Sequence, residues 1–175
     1  MNPTEHAAWV REALDTFERP LVRYARSITG DTERARDAVQ ETFLQLCKAD
    51  RARVDDHLAP WLYTVARNQA LSMVRKDGRM DPLSDAQATR LPDAAAGPHE
   101  RAAANETHAR VLALLDTLPE EQREACRLKF QDGLSYREIA QVMEVSLGKV
   151  SKLLAGALAS LRQELTAGGL SAEEA

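Results

Sequence analysis

A chain of 175 residues can make one ordinary domain or two small ones, each packing a few helices around a modest core. Aromatic residues are only 5% of it, strand formers are sparse, and Ala, Leu, Arg, Glu and Gln abound, which argues against a sheet and predicts an all-α fold. The formal net charge of −4 excludes the basic balance of many free-standing DNA binders; no segment is strongly basic, so any DNA affinity must be local or borrowed from a partner.

The first helical stretch, Glu5 to Thr29, carries apolar residues at Trp9, Val10, Ala13, Leu14, Phe17, Leu21, Tyr24, Ala25 and Ile28. Pro20 inside it either starts a fresh helix or kinks a continuous one, since it removes a backbone donor and crowds the preceding turn. Gly30 then ends the segment and Asp31 caps the next. The second helix, Thr32 to Ala49, places Ala35, Val39, Phe43 and Leu46 on a core side. Its opposite side carries Asp37, Gln40, Glu41, Leu44 and Lys48, a polar stripe interrupted by one exposed leucine. After a charged loop, Asp50 to Ala59, Pro60 takes a first helical position and WLYTVARNQALSMVRK continues with Leu62, Val65, Ala66 and Val74 toward the core.

From Met80 the chain becomes MDPLSDAQATRLPDAAAGPHERAAAN, with three prolines and no sustained amphipathic period, which predicts a flexible linker over residues 80–105. It separates a first domain, residues 5–79, from a second, residues 106–167. In the second, Val111, Leu112, Leu115 and Leu118 recur at helical spacing, Pro119 starts a helix through Phe130, and Gly133 stops it. Ser135 opens SYRE, a capping box in which the Ser oxygen and the Glu138 carboxylate satisfy opposite partners at one helix start. A short helix, Tyr136 to Met143, the turn Glu144-Val145-Ser146, and a longer helix from Leu147 to about Leu165 describe a helix-turn-helix, with Val150, Leu154, Ala157 and Leu161 facing the core.

Several chemistries find no support. Cys47 and Cys126 lack metal-site spacing and read as reduced, half-buried thiols. His6, His57, His99 and His108 are scattered in polar context, and there is neither a Ser-His-Asp set nor a phosphate loop, so no enzyme and no cofactor are expected. The start of the chain does not resemble a signal peptide and no apolar run approaches the roughly 20 residues that span a bilayer, so a cytoplasmic location is expected.

The segment LDTLPEEQREACRLKFQDGLSYREIAQVMEVSLGKVSKLLAGALASLRQEL resembles region 4 of RNA polymerase sigma factors, without gaps. The first domain resembles region 2, above all in RDAVQETFLQL followed by APWLYTVARNQALSMVRK. Two such blocks in this order, joined by a linker and lacking regions 1 and 3, resemble the extracytoplasmic-function group over nearly all of residues 10–165. The resemblance implies a transcription initiation factor that binds core RNA polymerase, directs it to promoters, and is held inactive by a cognate anti-sigma factor.

It also implies site residues. Asp37, Gln40 and Glu41 match the helix that docks on the largest polymerase subunit, with Leu44 as an apolar anchor on the same face. The helix after Pro60, with the loop before it, matches the receiver of the opened minus-10 strand: Arg67, Arg75, Lys76 and Arg79 suit phosphates and Asn68 suits a base edge. Trp61 or Tyr63 offers a stacking surface there, although a tryptophan more often belongs to a core.

The last helix departs from the family, whose members carry several cations on the exposed face. Here that face is Ser151, Ala155, Gly156 and Ala159, with Lys149, Lys152 and Arg162 left as minus-35 contacts and Leu153 and Leu158 widening the apolar arc. Two readings stand: small residues let this helix approach the DNA groove closely, or its surface binds protein. The second would make the chain an adaptor or decoy that does not read DNA.

Overall fold

The computed structural model describes residues 3–77 and 113–167, and these form helices and turns with no strand among them. The chain divides into two compact units, one built on the first four helices and one holding most of the rest. The linker expected over residues 80–105 lies outside the described residues, as do Val111 and Leu112 of the helical spacing that follows it.

In the first unit, α1 spans Pro3–Thr29 without interruption, so Pro20 does not start a second helix. Leu21, Tyr24 and Ala25, immediately after it, are all buried, and that packing outweighs the backbone bond the proline forfeits. Gly30 ends α1 at φ +71, a left-handed conformation that suits glycine. Asp31 then caps α2 (Thr32–Lys48) by accepting the Arg34 N–H at 2.8 Å. The expected core side of α2 holds: Ala35, Val39, Phe43 and Leu46 are buried, with Ala38 and Thr42 beside them. The Thr42 hydroxyl donates to the Ala38 carbonyl at 2.7 Å, so this buried hydroxyl is satisfied within its own helix.

The stretch expected as a charged loop is helical. Arg51–Val54 forms a single turn, α3, capped by Asp50, and a 3₁₀ turn over Asp55–His57 leads directly into α4 (Leu58–Asp77). Pro60 therefore sits inside the first turn of α4, where its missing N–H costs nothing. Helices α1, α2 and α4 pack on one another, with the Tyr24 and Tyr63 rings 5.2 Å apart between α1 and α4. Along α4, Leu62, Ala66 and Ala70 are buried, but Val74 is 39% exposed, because from Leu71 onward no described side chain of this helix is buried. Leu14, expected in the core, is also exposed.

In the second unit, Pro119 precedes α5 (Glu120–Cys126), and a π turn over Arg127–Gln131 extends it, so the expected helix changes its winding before Phe130. Gly133 at φ +74 terminates it. Helix α6 (Tyr136–Met143) begins with the predicted box: the Ser135 N–H donates to Glu138 Oε2 at 2.7 Å and the Glu138 N–H to Ser135 Oγ at 3.3 Å. Glu144 turns the chain at φ 56, and α7 spans Leu147–Ala167. Leu118, Ala125, Leu128, Leu134, Ile139, Val150, Leu154 and Ala157 supply buried apolar surface. Of the two cysteines, Cys126 is buried, which pushes its thiol pKa up by desolvation, whereas Cys47 is exposed rather than half-buried.

Candidate protein and nucleic-acid interfaces

Helix α2 presents two opposed faces. Asp37, Gln40 and Leu44 are exposed and Glu41 is half-buried; their spacing puts them on one stripe away from Val39 and Phe43. Leu44 is 47% exposed, so it stands as an apolar group among polar neighbours instead of entering the core.

Helix α4 and the turns before it form a second surface. Asn68 and Arg75, seven residues apart, share a stripe; Lys76 is exposed, Arg67 is half-buried, and Arg79 lies outside the described residues. Arg75 is exposed and its Nε donates to the Leu71 carbonyl at 3.2 Å. Tyr63 is only 2% exposed and packed on Tyr24, so it offers no stacking surface. Trp61 is half-buried, and the core tryptophan of this unit is Trp9 instead.

Trp9 also anchors the turns that precede α4. Its indole N–H donates to Asp55 Oδ1 at 2.8 Å, meeting the need of a buried indole for an acceptor. Asp55 Oδ2 accepts from Arg51 Nε at 3.2 Å, and the Arg51 guanidinium lies 5.7 Å from the Trp9 ring centroid. A further neighbour of Trp9 is His6, whose ring is tilted at 5.4 Å and whose Nε2 lies 3.0 Å from the Cys47 carbonyl.

In α7, Lys149, Ser151, Lys152 and Arg162 are all exposed, as expected. Lys149, however, is engaged: its Nζ is 2.6 Å from Glu121 Oε1 of α5. Gly156 does not belong to the outward face. A Cβ there would sit 3.0 Å from Gln122 Nε2, so the absence of a side chain admits α5 and not DNA. Ser151, Ala155 and Ala159 remain exposed. A shallow groove runs between the starts of α6 and α7, lined by Ser135, Tyr136, Arg137, Leu147, Gly148 and Ser151. Among the described residues no His, Cys, Asp and Glu cluster has the make-up of a metal site.

Comparison with known proteins places both halves. Sigma-70 region 2 matches residues 14–80, and Sigma-70 region 4 matches residues 108–161. The ECF RNA polymerase sigma-E factor of Escherichia coli K12 is 32% identical over 149 residues, covering 77% of this chain and 78% of that protein. The chain belongs to the extracytoplasmic-function sigma factors. The sigma factor EcfG of Rhodopseudomonas palustris is 34% identical over 131 residues, covering 74% of this chain and 70% of its own. Two solved structures share the fold at 23% identity: RpoE in complex with the anti-sigma factor NepR from Bartonella quintana, with a TM-score of 0.64 over 89% of this chain and 96% of that one, and CnrH in complex with the cytosolic domain of CnrY, with 0.61 over 94% and 95%. As a sigma factor, the protein is a transcription initiation factor that directs transcription to promoters, and not an enzyme.

For a sigma factor, the groove at the starts of α6 and α7 is the feature that sequence reasoning missed. The sequence pattern marks Tyr136, Arg137 and Leu147 only as helix-start residues, yet Tyr136 and Leu147 are 41% and 49% exposed. The available signal was positional: in a helix-turn-helix, residues at the start of the second helix approach base edges while the first helix crosses the backbone.

Proposed function

We propose that this sigma factor binds core RNA polymerase through the polar face of α2 and reads promoters with two separate surfaces. Residues 5–79 carry polymerase docking and minus-10 recognition, residues 80–105 connect, and residues 106–167 carry minus-35 recognition. The reading is supported above all by one observation: Asp37, Gln40, Glu41 and the exposed Leu44 share the side of α2 opposite the buried Val39 and Phe43. An apolar group ringed by charge and hydrogen-bonding capacity, with no core to enter, suits a protein interface. On α4, Asn68 serves as the base-edge contact and Arg67, Arg75, Lys76 and Arg79 serve phosphates; on α7, Ser151, Lys152 and Arg162 form the upstream contacts, and Lys149 joins them once released from Glu121.

In this role the protein works in the cytoplasm beside polymerase and chromosome; no helix of the described residues is long and apolar enough to cross a membrane. RpoE from Bartonella quintana, which shares the fold, is seen with the anti-sigma factor NepR, and we infer a partner of that kind here, covering the polymerase-facing surfaces. The test is direct binding to core polymerase and promoter-dependent transcription with Asp37→Lys and Glu41→Lys. Both variants are expected to fold, because neither side chain is buried, and to lose affinity for polymerase together with transcription. Unchanged affinity would remove α2 from the interface.

A further inference from the structure

We propose that the groove between the starts of α6 and α7 reads a thymine by its 5-methyl group, and that Leu147 makes the contact. The inference rests on the assignment of α7 as the upstream promoter helix and goes beyond it by naming the base. In this motif the first residues of the second helix meet base edges in the major groove. The first residue of α7 is Leu147, 49% exposed, and Tyr136 faces the same groove at 41% exposed. Gly148 follows, and a Cβ added there would meet nothing within 4 Å, so the space beside Leu147 is open.

The chemistry of the lining separates the four bases. Guanine is read by a bidentate Arg or Lys, adenine by Asn or Gln, and cytosine by a carboxylate, whereas thymine alone presents a methyl to an apolar side chain. Lys149, the nearest cation on α7, is drawn to Glu121 at 2.6 Å. Arg137 stands on α6, the helix that crosses the backbone, where a guanidinium serves a phosphate. Among the described residues, no Asn, Gln, Asp or Glu lines the groove. Leu147 is left as the group aimed at a base edge, and Ser151, one turn further on, bonds to any base. The Tyr136 ring, with Lys129 Nζ 5.6 Å from its centroid, closes the other side of the groove.

Holoenzyme assembled from core polymerase and the full chain is used to select binding sites from a duplex pool randomised in the upstream element. Each thymine of the selected element is then replaced singly by deoxyuridine, which removes the methyl and keeps the base pair. One replacement is expected to weaken binding about fourfold, the factor that corresponds to the burial of a single methyl group. Leu147→Ala is expected to weaken binding to the thymine duplex by a similar factor and to bind the deoxyuridine duplex no worse. If every thymine tolerates replacement while other base changes in the element do not, the methyl contact is wrong and α7 still reads DNA. A Leu147→Ala holoenzyme that stays sensitive to the methyl also overturns the proposal. If no upstream base matters, the assignment of α7 falls with it. The deoxyuridine series uses the unmodified protein, so its outcome does not depend on how the variant folds.

Discussion

Phe43 and Leu44 are adjacent in sequence and opposite in environment, 7% and 47% exposed. Phe43→Ala removes a buried ring and is expected to cost about 3 to 5 kcal/mol of stability. Leu44→Ala is expected to leave stability within about 1 kcal/mol and to weaken the complex with core polymerase. Denaturant unfolding of both variants, followed by polymerase binding of each, checks the pair, and a stable Phe43→Ala protein would mean that the two faces are inverted. A second contrast concerns Lys149. Its partner Glu121 is 56% exposed at the side chain and Lys149 44%, so the pair adds no more than about 1 kcal/mol to stability. The pair instead withholds a cation. Glu121→Gln is expected to free Lys149 for a phosphate and to steepen the slope of log affinity against log salt by about 0.9 for duplex promoter DNA. Holoenzyme binding across a salt series measures this, and an unchanged slope would show that Glu121 does not restrain Lys149.

Individual elements owe their limits to short-range chemistry. Asp31 starts α2, Gly30 ends α1, and Ser135 with Glu138 starts α6, each through hydrogen bonds reaching no more than four residues along the chain. Ser135→Ala deletes the acceptor for the Glu138 N–H and is expected to cost about 1 kcal/mol, read by urea unfolding of the full chain. The same change should reach function, because the groove is built from the first residues of α6 and fraying there displaces Tyr136. Promoter selectivity of the variant holoenzyme should therefore fall at temperatures where the protein is still folded. Undiminished selectivity would separate the cap from the groove. The turns between α2 and α4 show the other way to set an element: α3 is a single turn, too short to persist in isolation, and the Trp9–Asp55–Arg51 contacts hold it.

At the scale of the whole molecule, a formal charge of −4 opposes attraction to DNA, and few cations stand on α7 to offset it. One good side-chain-to-base contact discriminates by about 1 to 3 kcal/mol, which cannot by itself locate a promoter. Polymerase supplies the remainder by holding both reading surfaces beside DNA at high effective concentration. The free chain is accordingly expected to bind promoter duplex weakly and with little preference, and the holoenzyme tightly and selectively. Fluorescence anisotropy with labelled duplexes, with and without core polymerase, makes the comparison. Tight, selective binding by the free chain would show that α7 carries more of the recognition than its side chains suggest.

The amino-acid sequence alone determined the helical class, the two-part organisation, the core side of α2, the Ser135–Glu138 box and the turn before α7. All of these follow from the 3.6-residue period and from hydrogen bonds between near neighbours, so the information is local. The family followed from two contiguous blocks for the same reason. Tertiary structure decided what depends on residues distant in the chain. Trp9 meets Asp55 across 46 positions, which turned an expected loop into ordered turns, and Glu121 meets Lys149 across 28, which engaged a cation that the sequence left available. Tyr63 lost its stacking role to Tyr24, and Gly156 proved to make room for Gln122. Helical periodicity states which side of a helix a residue occupies; which neighbour arrives at that side is set by how the helices pack.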